Sequence, residues 1–164
     1  MATATHHLSE HDPTSVPSGA GRRFALVVSE WNRTITDALR QGARDTLLRY
    51  GVAEADIEEM WVPGSFELAG GAQYLLERGG LDGIICLGSV VRGETPHFDF
   101  VCQGTTQGIM DVGLKYGRPV IFGVLTDDTL QQALDRSGGK HGNKGVDCAV
   151  AVLKMADLRL RTIG

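Results

Sequence analysis

The sequence predicts an α/β protein, a three-layer α/β/α sandwich around a four-stranded parallel sheet. Four short apolar runs, rich in Val, Ile and Leu, have the length and composition of strands that are buried on both faces. Segments with a helical spacing of apolar residues separate these runs, and strand and helix therefore alternate along the chain. At 164 residues the chain has the size of one domain rather than two.

Each element has a recognisable boundary. The predicted strands cover residues 24–28, 57–62, 84–87 and 120–125. The predicted helices cover residues 34–50, 66–76, 98–116, 129–135 and 146–160. Glycine follows three of these helices at Gly51, Gly79 and Gly117, where a left-handed residue commonly ends a helix. Pro63-Gly64 stops the second strand, and Pro119 precedes the fourth.

Residues 1–21 form a predicted flexible N-terminal tail, and residues 22–164 form the folded domain. The tail is rich in Ser, Thr, His, Pro and Gly, so it has too little apolar surface to offset the entropy lost on ordering. His6, His7 and His11 could bind a metal weakly. They complete no structural ligand set, so a tail that merely contains histidines is the preferred interpretation and no metal site is predicted.

Composition and charge favour a cytoplasmic protein with neither a nucleic acid nor a membrane as its partner. The net charge of −4 gives no reason to expect nucleic acid or an anionic membrane as a partner. No apolar run approaches the length of a membrane span, and the first residues do not resemble a signal peptide. Three cysteines, an odd number, lie inside apolar segments, which is typical of reduced thiols in a cytoplasmic protein: Cys86, Cys102 and Cys148.

Polar segments follow the predicted strands, where ligands of parallel sheets gather. The most informative one leads from the third strand into a helix and reads Gly88-Ser89-Val90-Val91-Arg92-Gly93-Glu94-Thr95-Pro96-His97-Phe98-Asp99-Phe100-Val101. Unpaired N–H groups at a helix N-terminus bind anions, and a histidine can take and return a proton near neutral pH. The segment therefore predicts a phosphate cradle beside a proton-transfer group. A plain strand–helix connection with a surface histidine is the alternative.

This segment resembles the central motif of the lumazine synthase family, which acts in riboflavin biosynthesis. Three other segments are similar to that family in the same order: Trp61-Val62-Pro63-Gly64-Ser65-Phe66-Glu67-Leu68, Pro119-Val120-Ile121-Phe122-Gly123-Val124-Leu125-Thr126, and Ala133-Leu134-Asp135-Arg136-Ser137-Gly138-Gly139-Lys140 continued by Gly142-Asn143-Lys144-Gly145. The resemblance covers residues 22–160 and implies a flavodoxin-like form of the sandwich.

The resemblance also implies an activity. Lumazine synthases condense 5-amino-6-(D-ribitylamino)uracil with 3,4-dihydroxy-2-butanone 4-phosphate, without a metal or redox cofactor. The products are 6,7-dimethyl-8-ribityllumazine, phosphate and water, in the penultimate step of riboflavin biosynthesis. We therefore expect an enzyme of this type, a transferase, with no cofactor.

The resemblance implies the site residues through the motif matches and, for Trp31, through an aromatic residue that the family has at or near this position. His97 would be the catalytic general acid and base. The residues expected to contact the pyrimidine and its ribityl chain are Trp31, Ser65, Phe66, Glu67, Ser89, Val90, Val91 and Phe122. The residues expected to contact the phosphate are Glu94 through its backbone, Thr95, and Arg136 through its planar fork. Further basic candidates, none of them expected to be essential, are Arg92, Lys140 and Lys144.

Several of these residues also have structural interpretations. Trp31 could close the core over the end of the sheet, and Phe122 could be ordinary core packing. Ser65 is a candidate N-cap of the second helix, with Glu67 suited to the helix dipole in its first turn. Arg136 could be one more exposed charge on a short helix.

The family forms pentamers, and some members assemble a sixty-subunit icosahedral shell. Its active sites lie between neighbouring subunits, so Phe122 and Arg136 would serve a site whose His97 belongs to the adjacent chain. Two other functions compete with this one. A flavin-binding module should carry a phosphate loop rich in glycine or hydroxyl groups after the first strand, and residues 29–33, Ser-Glu-Trp-Asn-Arg, contain no glycine. A catalytically inactive, shell-forming paralogue is the other.

Overall fold

Four parallel strands form the central sheet of the structure, a computed structural model that describes residues 9–163. The strands are β1 (Phe24–Ser29), β2 (Ile57–Val62), β3 (Gly83–Val91) and β4 (Val120–Asp127). Their order across the sheet is β2-β1-β3-β4, and every neighbouring pair is parallel. The predicted four-stranded parallel sheet is confirmed.

Five helices cover the two faces of this sheet: α1 (Arg33–Arg49), α2 (Leu68–Arg78), α3 (His97–Tyr116), α4 (Leu130–Arg136) and α5 (Lys144–Ile163). The helices α1, α4 and α5 pack on one face, and α2 and α3 pack on the other. This arrangement is the predicted three-layer sandwich. No helix within residues 9–163 has both the length and the apolar character that crossing a bilayer requires.

The continuous apolar run of β1 follows from burial on both sides. Successive side chains of a strand point to opposite faces of the sheet. Phe24, Leu26 and Val28 pack in the cluster of α1 and α5, whereas Ala25 and Val27 pack in the cluster of α2. All six residues of the strand are buried. An alternating polar pattern would therefore have left polar groups in one of the two cores.

The second helix starts later than predicted. A 3₁₀ turn at Ser65–Glu67 precedes α2, and the residue before α2 is Glu67, which makes no side-chain capping hydrogen bond. The expectation that Ser65 caps this helix is therefore wrong. The physical reason is the tight turn, in which the Glu67 N–H donates to the carbonyl oxygen of Gly64 at 3.2 Å. Ser65 lies inside that turn, and its hydroxyl is buried.

A short antiparallel hairpin was not predicted. It consists of β5 (Ser137–Gly139) and β6 (Gly142–Asn143). The Asn143 amide Nδ2 donates to the carbonyl oxygen of Ala38 on α1 at 2.9 Å, and its Oδ1 accepts from the Gly145 N–H at 2.8 Å. A Cβ atom on Gly145 would overlap the carbonyl oxygen of Leu39. Residues 142–145 therefore join the hairpin to the crossing of α1 and α5.

The segment 9–21, part of the expected flexible tail, makes contacts with the rest of the domain. Ser9 Oγ donates to the carbonyl oxygen of Asn143 at 3.0 Å, and His11 Nε2 lies 2.8 Å from the Tyr50 hydroxyl. The side chain of Val16 belongs to the core cluster of α1 and α5. One buried valine and a few polar contacts hold this segment against the domain, although it has no hydrophobic period. The rest of the expected tail, including His6 and His7, lies outside the described residues.

Candidate active site

A cavity of about 740 Å³ opens at the carboxyl ends of β1, β2 and β3. The loop after β1, the 3₁₀ turn after β2, the end of β3 and the first turns of α3 line it. Its residues are Trp31, Asn32, Gly64, Ser65, Phe66, Glu67, Ser89, Val90, Val91, Gly93, Thr95, His97, Phe98, Phe100 and Val101. This is the edge at which parallel sheets bind small molecules, and the size is that of a ligand pocket.

Most of the residues proposed from the sequence meet in this cavity. They are Trp31, Ser65, Phe66, Glu67, Ser89, Val90, Val91, Thr95 and His97. In the described part of the chain, Phe122, Arg136 and Glu94 do not belong to the cavity wall. A single chain thus brings together the histidine and most of the proposed pyrimidine contacts, but not the proposed phosphate-binding arginine.

Small residues shape the cavity between β2 and β3. A Cβ atom on Gly88 would lie 2.5 Å from Ser65 Oγ and 3.0 Å from Leu68 Cδ1. Glycine at this position therefore lets the 3₁₀ turn approach β3 closely. The hydroxyls of Ser65 and Ser89 are buried, and within residues 9–163 neither has a hydrogen-bond partner.

Exposed aromatic rings surround the cavity. The side chain of Trp31 is 73% exposed, that of Phe66 is 60% exposed and that of Phe100 is 70% exposed. The interpretation of Trp31 as a cover of the core is therefore wrong. Large aromatic faces left in contact with solvent around a cavity are typical of a surface that binds an apolar or aromatic partner.

His97 is the first residue of α3, and its side chain is exposed at the cavity. The preceding residue, Pro96, makes no side-chain capping hydrogen bond within the described chain. Its carbonyl oxygen accepts from the N–H of Asp99 at 2.9 Å. An uncapped helix N-terminus favours an anion, so the histidine and a potential anion site are adjacent.

Arg92 holds the loop between β3 and α3. Its guanidinium lies 4.2 Å from the centre of the Phe98 ring, Nε donates to Asp128 Oδ1 at 2.7 Å, and Nη1 donates to Asp99 Oδ1 at 3.3 Å. Its backbone N–H donates to the carbonyl oxygen of Asp127 at 2.9 Å. These contacts join the loop to α3 and to the segment after β4, which makes Arg92 a structural residue of the loop.

Arg136 lies at the end of α4 and, in the described part of the chain, is not among the residues that line the cavity. Its Nη1 donates to the carbonyl oxygen of His141 at 2.7 Å, and Nη2 donates to Asp147 Oδ2 at 2.9 Å. Only 16% of the side chain is exposed, so it is not a free surface charge. Burial raises the pKa of the nearby Asp127 carboxyl, and the positive charge of Arg136 opposes that shift. The guanidinium is thus fixed, and three of its five donors remain for another partner.

Phe122 has both structural and surface contacts. It is half-buried against the core of α2 and α3, which agrees with the core-packing interpretation. It also lines a second, more open groove with residues of α3, among them Cys102, Gly104 and Gln107. This groove lies beside β4, an edge strand of the sheet.

The cysteines are unsuited to nucleophilic chemistry, because the thiolate is the reactive form. Burial raises the pKa of Cys86, and it raises the pKa of Cys148 to about 12. Burial also raises the pKa of Cys102, which is only partly covered. Within residues 9–163 there is no group of three or more His, Cys, Asp or Glu side chains placed to hold a metal ion.

Six residues that line the cavity were not among the expected site residues: Asn32, Gly64, Gly93, Phe98, Phe100 and Val101. The last four belong to the motif at residues 88–101, in which the polar groups alone had indicated the site. His97, Phe100 and Val101 follow the spacing of one helical face, a signal that could have identified the apolar part of the wall. Asn32 had only its position after Trp31 to indicate it.

The fold and the cavity define an α/β sandwich protein with a small-molecule site at the carboxyl edge of its sheet. Comparison with known proteins narrows this class. The family model described as 6,7-dimethyl-8-ribityllumazine synthase matches residues 21–159. The chain belongs to the 6,7-dimethyl-8-ribityllumazine synthase family, as the four sequence motifs had indicated.

Curated proteins with this name are similar to the chain over nearly its whole length. The protein of Porphyromonas gingivalis is 53% identical over 158 residues, which cover 96% of this chain and 98% of that protein. The protein of Parabacteroides distasonis is 52% identical over 157 residues, covering 96% of this chain and 98% of that protein. The protein of Phocaeicola vulgatus is 50% identical over 159 residues, covering 97% and 95%.

Proposed function

We propose that this chain condenses 5-amino-6-(D-ribitylamino)uracil with 3,4-dihydroxy-2-butanone 4-phosphate. The products are 6,7-dimethyl-8-ribityllumazine, inorganic phosphate and two waters, in the penultimate step of riboflavin biosynthesis. The observation that carries this proposal is the cavity at the carboxyl edge, which joins an aromatic wall, buried hydroxyls and His97 in a member of this family. The reduced, buried thiols of Cys86 and Cys148 support a location in the cytoplasm.

The pyrimidine is proposed to bind in the part of the cavity between Trp31, Phe66 and the end of β3. The exposed rings offer flat faces to a heteroaromatic ring. Within residues 9–163, β3 has no β1 strand partner beyond Leu87. The Ser89 carbonyl oxygen accepts from the Asn32 amide, and the other backbone groups of Ser89 to Val91 on that side are available to a ligand. Glu67 and the hydroxyl of Ser65 are suited to the hydroxyl groups of the ribityl chain.

The phosphate is proposed to bind at the N-terminus of α3, between Thr95 and His97. The Thr95 hydroxyl and the N–H groups of the uncapped terminus are suitable donors. Glu94 is exposed, so its backbone can face the ligand while its carboxylate remains in solvent. Within residues 9–163, one chain supplies no arginine to this part of the cavity wall, and we therefore assign that role to Arg136 of a neighbouring subunit.

This assignment requires a homo-oligomer in which Phe122 and Arg136 close the cavity of the next chain. A pentamer is the proposed unit, and a sixty-subunit shell is the proposed larger assembly. The surface of α3 supports association, because three of its large apolar side chains are exposed: Phe100 (70%), Met110 (56%) and Leu114 (76%). Large apolar patches that remain exposed on a single chain are typical of subunit interfaces.

The reaction is proposed to proceed by imine formation between the amine and the ketone, elimination of phosphate, ring closure and dehydration. His97 would take and return the protons that these steps transfer. Holding two substrates side by side makes their reaction effectively intramolecular, and this positioning supplies most of the acceleration. The aromatic wall and the phosphate contacts are the groups that perform it.

Mixing the purified protein with both substrates tests the proposal. We expect lumazine fluorescence to appear together with stoichiometric phosphate. Phosphate release without lumazine would contradict the condensation. A protein that binds lumazine or a flavin without forming product would instead be an inactive paralogue or a flavin-binding module.

A further inference from the structure

Asn32 has an unusual backbone for its position. Among the non-glycine residues of the described chain, it alone has a positive φ, with φ 58° and ψ 45° in the left-handed region. It directly precedes α1, but its side chain makes no capping hydrogen bond to that helix. The amide Nδ2 instead donates to the carbonyl oxygen of Ser89 at 2.9 Å. The side chain of an Asn before a helix ordinarily accepts a hydrogen bond from a backbone N–H of that helix, whereas the Asn32 side chain donates to a neighbouring strand.

The hydrogen bond from Asn32 to Ser89 follows from the unequal lengths of the strands. The pairing of β1 with β3 ends at Val28 and Leu87, whereas β3 continues along β4 to Val91. A buried carbonyl group without a donor is costly, and the Ser89 side chain is almost fully buried. The Asn32 amide supplies to Ser89 the donor that β1 is too short to provide. The left-handed turn directs the side chain back toward β3.

Asn32 thereby connects two walls of the cavity through the loop that carries Trp31. The Trp31 N–H donates to the carbonyl oxygen of Pro63 at 3.3 Å, which joins this loop to the segment after β2. The Asn32 amide joins the same loop to the end of β3. Trp31, Asn32 and Ser89 all line the cavity.

We propose that Asn32 is a positioning residue that sets the width of the gap between the Trp31 ring and the end of β3. This inference depends on the proposed function, in which the pyrimidine ring enters that gap. The phosphate region lies at the N-terminus of α3, outside this connection. Loss of the amide should therefore raise the KM for the pyrimidine and leave the KM for the phosphorylated ketone nearly unchanged.

Two substitutions separate the amide from the backbone turn. Asn32→Asp keeps the size of the side chain but removes the N–H donor and places a carboxylate oxygen against the Ser89 carbonyl. Asn32→Gly keeps the left-handed conformation at no steric cost and removes the side chain altogether. Gln41→Glu is the matched control, because it makes the same change from amide to carboxyl on an exposed part of α1.

The measurement is the KM for each substrate, with the other held at saturation, together with kcat. We expect both Asn32 variants to raise the KM for the pyrimidine about 10- to 100-fold, with less than about a threefold change for the phosphorylated ketone. Gln41→Glu should alter neither. Equal increases in both KM values, or no change in either, would overturn the proposal. If Asn32→Asp does not fold, Asn32→Gly gives the same test, since its backbone is unstrained.

The wild-type protein keeps this test separate from the proposed function. A wild-type protein that forms no lumazine contradicts the function itself. An active wild-type protein whose Asn32 variants behave like Gln41→Glu contradicts only the positioning role.

Discussion

The chemistry proposed for single residues depends most on His97, where an imidazole and an uncapped helix terminus adjoin the same cavity. We predict that His97→Ala lowers kcat about 10²- to 10⁴-fold, the contribution typical of one general acid and base. Initial rates of lumazine formation measure the effect. His11→Ala is the control, because His11 contacts Tyr50, the residue after α1, and is not part of the cavity wall. A variant with the wild-type rate would exclude His97 from the mechanism.

Arg136 is predicted to affect one substrate selectively. Arg136→Ala should raise the KM for the butanone phosphate about 10- to 100-fold and that for the pyrimidine much less, because charge-assisted hydrogen bonds to phosphate would be lost. Asp147→Asn should give a smaller change in the same direction, since it weakens the ion pair that holds the guanidinium. Steady-state kinetics with each substrate varied in turn is the measurement. An equal increase in both KM values would refute the phosphate role.

The close contact of the 3₁₀ turn with β3 is a property of elements. We predict that Gly88→Ala lowers the free energy of unfolding by about 1–3 kcal/mol, because its new methyl group would overlap Ser65 Oγ. Ser65→Ala in the same chain should recover part of that loss, since it removes the nearest atom. Denaturant unfolding of the two single variants and the double variant measures the coupling. Strictly additive losses would show that the two residues do not compete for space.

The elements differ in how far the sequence could predict them. The run Phe24–Ser29 is buried on both faces, and such burial leaves a continuous apolar pattern that depends on no other segment. The third strand extends to Val91, four residues beyond its predicted end. The pairing of Ser89 to Val91 with β4, a partner distant in sequence, holds these residues in the sheet. The hairpin at residues 137–143 was missed, since its strands are very short and Asn143 holds it to α1.

The candidate site was predictable where a local motif carries it. The motifs indicated Ser65 and His97, and the position after the first strand indicated Trp31. The three line one cavity because the ends of neighbouring parallel strands meet at one edge of the sheet. The 3₁₀ turn was not predictable, since a serine two residues before a glutamate suits both a capped helix and a tight turn. The role of Asn32 was hidden for a similar reason, because its partner Ser89 belongs to another strand.

At the scale of the whole molecule, the main question is whether Arg136 and Phe122 complete the His97 cavity of a neighbouring chain. We predict that His97→Ala and Arg136→Ala chains, each impaired alone, recover activity when they are unfolded and refolded together. Random mixing in a ring would restore about a quarter of the sites, those in which an intact histidine faces an intact arginine. Rates at low concentrations of the butanone phosphate measure the recovery. Mixed rings without any recovery would mean that each chain works alone.

Residues 22–164 are proposed to form the repeating unit of such an assembly, and the described segment 9–21 is in contact with this unit. Ser9 and His11 contact Asn143 and Tyr50 within the same chain. Sedimentation of the full chain gives the number of subunits directly.

Within residues 9–163 of one chain, Arg136 is not part of the cavity that contains His97, and this has a practical effect. If the active site of every chain is completed by an arginine of its neighbour, only the subunit interface is catalytically active and an isolated chain is not. The rate per milligram would then decline as the solution is diluted below the point at which rings come apart. In a cell that begins to make the protein, the total activity would therefore rise more steeply than the protein concentration.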